Sequence, residues 1–480
     1  MANFLTNKAK LPDSSVDFCC KFPHRRRSFF DRPDLSRRAF FQLAGAGITG
    51  SYLLPRAKAA TGPIVNSGMK TQNSAKNVIF IHLTGAMSHV DTLDFKFTNG
   101  VTPASFNPTM VGNVNWPMGL LPRMGAHAAD LGLVRAMTSH ALVHTLAQTW
   151  AQVGRSPVAA LGDVAPNVGS VVSIEKEKDR KTGQVFPGFV ALNAGNAARQ
   201  GYLPAAYAPF QVTPVVGRAS ITNTSNASGQ ATFNTMVARL NQYDGAMRSA
   251  APYGSPLKDM DSMYSQARGL MYNPTVDSAF TVSTADSLRY GNGTAANGFG
   301  NALVVAKQIL AADQGTRFVQ ISFGSWDHHQ NIYSPNVLPA MASQLDNGLG
   351  ALFDDLKASG RFNETLIVMM GEFGRTPALS GALGRDHYAI QTAMLAGGGV
   401  RGKAIGATNA TGSAIADFGW AGSALGGART VWAEDIEATM YSAIGIDWTT
   451  IRYDDPFGRG YEYVPFAKEG QYGPIKELFT

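Results

Sequence analysis

A chain of 480 residues with 45% hydrophobic and 16% charged residues can bury a sizeable core and is neither disordered nor collagen-like. Its net charge of +7 belongs to the first 59 residues, where 11 Lys/Arg face 4 Asp/Glu; the other 421 residues carry 30 groups of each sign, so the body lacks the basic surplus that nucleic-acid or anionic-membrane binding needs. Both cysteines, Cys19 and Cys20, also lie in that leader, which excludes disulfides, zinc–cysteine sites, iron–sulfur clusters and a thiol nucleophile from the body.

In chain order, Ser36-Arg37-Arg38-Ala39-Phe40-Phe41 is a twin-arginine sequence. An apolar, Gly/Ala-rich stretch from Leu43 to Leu54 follows, and then the small-residue cut pattern Ala57-Lys58-Ala59. Basic region, short apolar region and cleavage pattern together read as an export signal over residues 1–59, which predicts a periplasmic or secreted protein. Gly45-Ala46-Gly47-Ile48-Thr49-Gly50 matches G-x-G-x-x-G, but no strand precedes it, so it is no dinucleotide fingerprint. No run approaches the roughly 18 apolar residues of a membrane-spanning helix.

Residues 60–76 read as a polar linker to a body of 60–480. Strands are predicted at Val78–Leu83, Leu131–Arg135, Thr316–Phe323, Thr365–Met370 and Ala389–Ala396. Helices are predicted at Leu120–Ala129, Thr145–Val153, Phe299–Ala312, Leu338–Ala358 (ended by Gly360) and Ala433–Ile444 (ended by Gly445). The polar region from about 200 to 300 reads as an insertion or cap with helices near Phe233–Met247 and Leu257–Met271. Alternating strands and helices argue for an α/β fold, a mostly parallel sheet sandwiched by helices. Ligands of such sheets bind beyond the carboxyl ends of the strands.

Those ends are rich in acids and imidazoles. Ser88-His89-Val90-Asp91-Thr92-Leu93-Asp94 follows the first strand, Ser325-Trp326-Asp327-His328-His329 a later one, and Gly371-Glu372-Phe373-Gly374-Arg375 and Gly384-Arg385-Asp386-His387 come after the next. Without cysteine, a zinc, manganese or calcium site in the body must use His, Asp and Glu. Asp327, His329, Glu372 and His387 are the candidate ligands, with Asp386 a ligand or an orienting partner. Arg375 and Arg385 read either as structural ion-pair partners or as holders of a planar anion. His82, inside a strand, reads as a packing residue. Trp326, Trp420 and Trp432 are compatible with a polymer-binding surface or with core packing. No G-x-S-x-G elbow, H-E-x-x-H or P-loop is present.

These segments resemble the exported bacterial family catalogued as domain of unknown function 1501, which is grouped with the alkaline phosphatase/sulfatase-like superfamily. The resemblance runs from Phe80 to Lys96, through Gly324–Asn331 and Gly371–Pro377, to Gly384–Tyr388 and Pro474–Leu478. It implies an alkaline phosphatase-like fold and one or two divalent metals used to hydrolyse phosphate or sulfate esters. It places Asp327, His329 and His387 as metal ligands and Glu372 where the superfamily has an Asp-His pair. His144 stands at the position of the sulfatase nucleophile, with Thr145 beside it as candidate nucleophile or helix N-cap. The pattern departs in two places: Thr84-Gly85 stands where an acidic ligand usually follows the first strand, and no C/S-x-P-x-R sulfatase signature exists. Two readings follow: a metal-dependent hydrolase of anionic esters, or a non-catalytic exported protein that binds or assembles with another exported component.

Overall fold

The computed structural model describes residues 62–480 apart from 160–161, 163, 195–197, 219–226, 250–254, 292–297 and 426. The twin-arginine segment, 1–59, lies outside the described residues. Among the described residues no helix is long and apolar enough to cross a membrane.

Eight strands form the central sheet: β1 (Asn77–Leu83), β2 (Leu131–Thr138), β3 (Phe189–Leu192), β4 (Phe210–Val212), β5 (Phe318–Phe323), β6 (Thr365–Gly371), β7 (Ile390–Ala396) and β8 (Lys403–Ile405), in the order β8-β2-β7-β6-β1-β5-β3-β4. Strands β6, β1, β5, β3 and β4 run parallel, β7 runs against both β6 and β2, and β8 is parallel to β2. The expected mostly parallel sheet is present, with β7 its one reversed strand. β7 is reached through a short ladder pairing Gly374↔Tyr388 and Arg375↔His387, and that quick return makes it antiparallel.

Side-chain alternation along β1 divides the core into two layers. Ile79, Ile81 and Leu83 join one cluster, with helices α5 (Phe299–Ala312) and α6 (Leu338–Ala358). Val78 and Phe80 join the other, with α2 (Val168–Lys176) and α7 (Ala433–Ala443). A third, small cluster of Ala86, Ala141, Ala147 and Phe373 seats α1 (His144–Val153) against the strand ends. Local signals explain the helix limits. Proline stands in the first turn of α6, and Gly360 (φ 71) and Gly445 (φ 77) take the left-handed conformation just past α6 and α7. Each buried leucine of α6, such as Leu349, is worth about 2–5 kcal/mol against truncation to alanine.

Between β4 and α5 lie two long, largely exposed helices, α3 (Ala227–Ser249) and α4 (Ser255–Leu270), where the sequence predicts helices in the polar insertion. The expected linker is not featureless: Ile64–Val65 pairs antiparallel with Ile451–Arg452. Strands β3, β4 and β8 have no counterpart among the sequence-predicted elements, because three or four residues carry too little periodicity to separate strand from loop.

Candidate metal centre

Three adjacent parallel strands, β6, β1 and β5, end at one rim. Glycine permits the loops there to touch. A Cβ on Gly85 (φ 100) would stand 2.6 Å from the Asp327 backbone nitrogen, and one on Gly384 would stand 1.9 Å from the His329 carbonyl carbon. Ala86 (φ 71), Ser325 (φ 74) and Leu383 (φ 60) also hold left-handed backbone conformations in these loops, a cost of about 1–3 kcal/mol each.

His144, Asp327, His329 and His387 meet at this rim, each offering one ligand atom, all within 4.8 Å of one another. His144 is the first residue of α1, Asp327 and His329 follow β5, and His387 lies opposite Arg375 in the short ladder. Phe373 forms an apolar floor, its ring 5.0 Å from that of His144 and 4.5 Å from that of His387.

The partners of the imidazoles set their tautomers. His387 Nδ1 donates to the Leu142 carbonyl at 2.8 Å, His329 Nδ1 to Asp386 Oδ1 at 3.0 Å, and His144 Nδ1 to Glu372 Oε1. These partners are acceptors, so each neutral ring carries its proton on Nδ1 and turns the Nε2 lone pair inward. The Nε2 atoms of His329, His144 and His387 lie 2.9, 3.5 and 3.9 Å from Asp327 Oδ1. Metal–nitrogen bonds of about 2.05 Å in a tetrahedron place ligand atoms about 3.3 Å apart, in the middle of that range. The Nε2 atoms of His144 and His387 are buried and make no hydrogen bond. Lone pairs of this kind, converging on a carboxylate, fit a divalent ion, and the imidazole-rich set suits zinc better than calcium.

Burial lowers the pKa of His387, the Leu142 bond opposes it and the nearby Arg375 guanidinium adds to the lowering, so the neutral ring is favoured. Desolvation pushes the Asp327 carboxyl up, but the hydrogen bond and charge of Arg375 outweigh it and hold the group below the usual carboxylate range. Asp327 and His329 remain about two-fifths exposed, so the centre opens to solvent on their side.

The other candidates occupy different positions. Glu372 is buried behind His144, accepting from its Nδ1 and, at 3.1 Å, from the Gly85 backbone N–H. Burial raises its pKa and the His144 bond draws it back in part. It holds the His144 ring in orientation and is not a member of the converging set. Arg375 is buried against that set, donating to Asp327 Oδ1. Arg385 is not brought there: it makes a buried, bidentate pair with Asp91 (2.7 and 3.0 Å), and its remaining donors reach Tyr333 and the carbonyls of Thr376 and Pro377. Thr145 is exposed on the first turn of α1, beside His144; the N-cap is Val143, which corrects the N-cap reading of Thr145.

Asp91 and Asp94, the acids that follow β1, are both engaged away from the centre. Asp91 takes Ser88 and Tyr333 as well as Arg385, and Asp94 takes Lys96, Arg135 and Thr408. His144 is absent from the candidate ligands that the sequence offers, yet it joins the converging set; its one signal is position, a histidine at a predicted helix start. His140, four residues earlier, is instead stacked between Trp150 and Trp432. With Trp326 and Trp420 buried, the tryptophans form no exposed platform for a polymer.

Residues 75–463 match the family described as protein of unknown function (DUF1501). No curated protein matches the chain. Similar solved structures include an alkaline phosphatase superfamily protein from Vibrio parahaemolyticus (13% identity, 82% of this chain and 74% of that one, TM-score 0.37). The PsFucS1 sulfatase from Pseudoalteromonas sp. is also similar (13% identity, 78% and 68%, TM-score 0.37). So is the alkaline phosphatase from the Antarctic bacterium TAB5 (14% identity, 68% and 92%, TM-score 0.34).

Proposed function

The chain belongs to the family of proteins of unknown function DUF1501, and within it we propose that this member is an exported, metal-dependent hydrolase of phosphate, sulfate or related anionic esters. The observation that carries this reading is the convergence of three inward Nε2 lone pairs and one carboxylate, two of the nitrogens buried without a hydrogen bond. His144, Asp327, His329 and His387 would hold a divalent ion, which would supply Lewis-acid stabilisation of charge on a substrate oxygen.

The chain's own residues do the rest. Glu372, Asp386 and the Leu142 carbonyl lock the three rings in the ligating tautomer. Arg375 places a guanidinium, a planar donor suited to tetrahedral oxyanions, against Asp327. The ten-residue helix α1 points its N-terminal turn, with its unpaired N–H groups, at the same rim. Thr145 puts a hydroxyl in that turn, and it is the candidate nucleophile.

A second reading, a non-catalytic exported binding or assembly protein, is favoured by one observation: Asp91, Asp94 and Glu372 engage other partners, and among the described residues the converging set holds a single acid, Asp327. Metal analysis of the purified mature protein, with hydrolysis of aryl phosphate and aryl sulfate esters, separates the two. The hydrolase reading expects stoichiometric metal and turnover that is lost in Asp327→Ala and His387→Ala. Equal turnover in both variants rejects it.

A further inference from the structure

Arg375 is a buried cation with every donor in use. Its Nε donates to the Ala86 carbonyl at 3.1 Å, Nη1 to the Arg385 carbonyl at 3.1 Å and to His329 Nε2 at 3.2 Å, and Nη2 to the Gly85 carbonyl and Asp327 Oδ1. A guanidinium has five N–H groups, and here five acceptors receive them. Three acceptors are backbone carbonyls of fixed loops. The other two are atoms of the candidate metal centre, and they lie only 2.9 Å apart. Two acceptors that close repel unless a cation serves both.

We infer that Arg375 is a stand-in cation which holds Asp327 and His329 when no metal is bound, and which becomes the oxyanion receptor only when a metal takes those two ligand atoms. The His329 lone pair serves either an Arg375 N–H or a metal, never both. Metal entry therefore frees the Nη1 N–H that His329 held, while the three carbonyls and Asp327 keep the guanidinium in place. That N–H, on a cation already held in position, is then available to an oxygen of a phosphate or sulfate. Cation and oxyanion binding are thus coupled, and the coupling must be reciprocal.

This inference rests on the metal reading, and the test keeps the two apart. Zinc is titrated calorimetrically into chelator-treated protein with and without inorganic phosphate, and phosphate with and without zinc, for the wild type, Arg375→Gln and Arg375→Lys. In the wild type, phosphate binds undetectably without zinc, and each ligand tightens the other by the same factor, at least about tenfold. In Arg375→Gln, zinc alone binds several-fold more tightly than in the wild type, because the internal competitor is gone, and the mutual enhancement shrinks. A residue that only braces the loops would weaken zinc binding instead. Arg375→Lys keeps the charge but not the planar set of donors and falls between the two. Wild-type protein that binds no zinc defeats the metal reading and this inference with it. Zinc binding with unchanged or weaker affinity in the folded Arg375 variants, or metal-independent phosphate binding by the wild type, defeats this inference alone. If Arg375→Gln does not fold, the Lys variant and the wild-type phosphate titration decide.

Discussion

Glu372→Gln tests whether the buried carboxylate acts through His144. The substitution keeps the size of the side chain and an oxygen that can accept from His144 Nδ1 and the Gly85 N–H, and removes only the charge. Hydrogen bonds to charged groups contribute about 1.5–3 kcal/mol and neutral ones about 0.5–1.5, so the swap forfeits about 1–1.5 kcal/mol of support for the His144 ring, a ligand in the proposed centre. That corresponds to about a tenfold weaker metal affinity, the lower end of the 10–100-fold range for partners that orient ligating histidines. The metal-free protein should respond in the opposite sense. Burial already raises the pKa of Glu372, meaning that its charged form is costly inside the fold. An uncharged amide there leaves thermal stability equal or higher. Competition titration against a fluorescent zinc chelator measures the first effect and thermal unfolding in chelator the second. A variant that loses stability without zinc, or that binds zinc as tightly as the wild type, would refute the orienting role.

Two further outcomes follow from buried groups outside the centre. His82 is fully buried, neither ring nitrogen has a hydrogen bond, and desolvation lowers its pKa to about 4. Its unfolded value is about 6.5, so the unfolded chain binds more protons in the window between, and stability falls as pH drops from about 7 to 4. His82 should account for about 2 kcal/mol of that loss by pH 5. The urea-unfolding difference between pH 7.5 and pH 5 should shrink by that amount in His82→Leu, and an unaltered difference contradicts the burial argument. Asp91→Ala should destabilise the chain by about 3–5 kcal/mol, because it leaves Arg385 buried without its bidentate partner; a loss of under 1 kcal/mol by denaturant titration would show that the pair is not buried in solution.

Much of the scaffold was written in local pattern. Helices Phe299–Ala312 and Leu338–Ala358 are observed with the predicted limits, because their apolar periodicity and closing residues are local signals. The strands flanking the centre were legible for the same reason, and so was the concentration of acids and imidazoles just after them. What each of those side chains does was not legible. His144 and Glu372 are 228 residues apart, and Arg385 and Asp91 294 apart. Only the strand order, with β2 and β6 on either side of β7, brings the first pair into contact, and only the close passage at Gly85 and Gly384 turns Arg375 inward while tying Arg385 to Asp91. A sequence states which groups are available and on which kind of element they sit. Whether a carboxylate ligates or braces, and whether a guanidinium meets a substrate or a buried acid, depends on distances of a few ångströms between remote segments, and those exist only once the layers have packed.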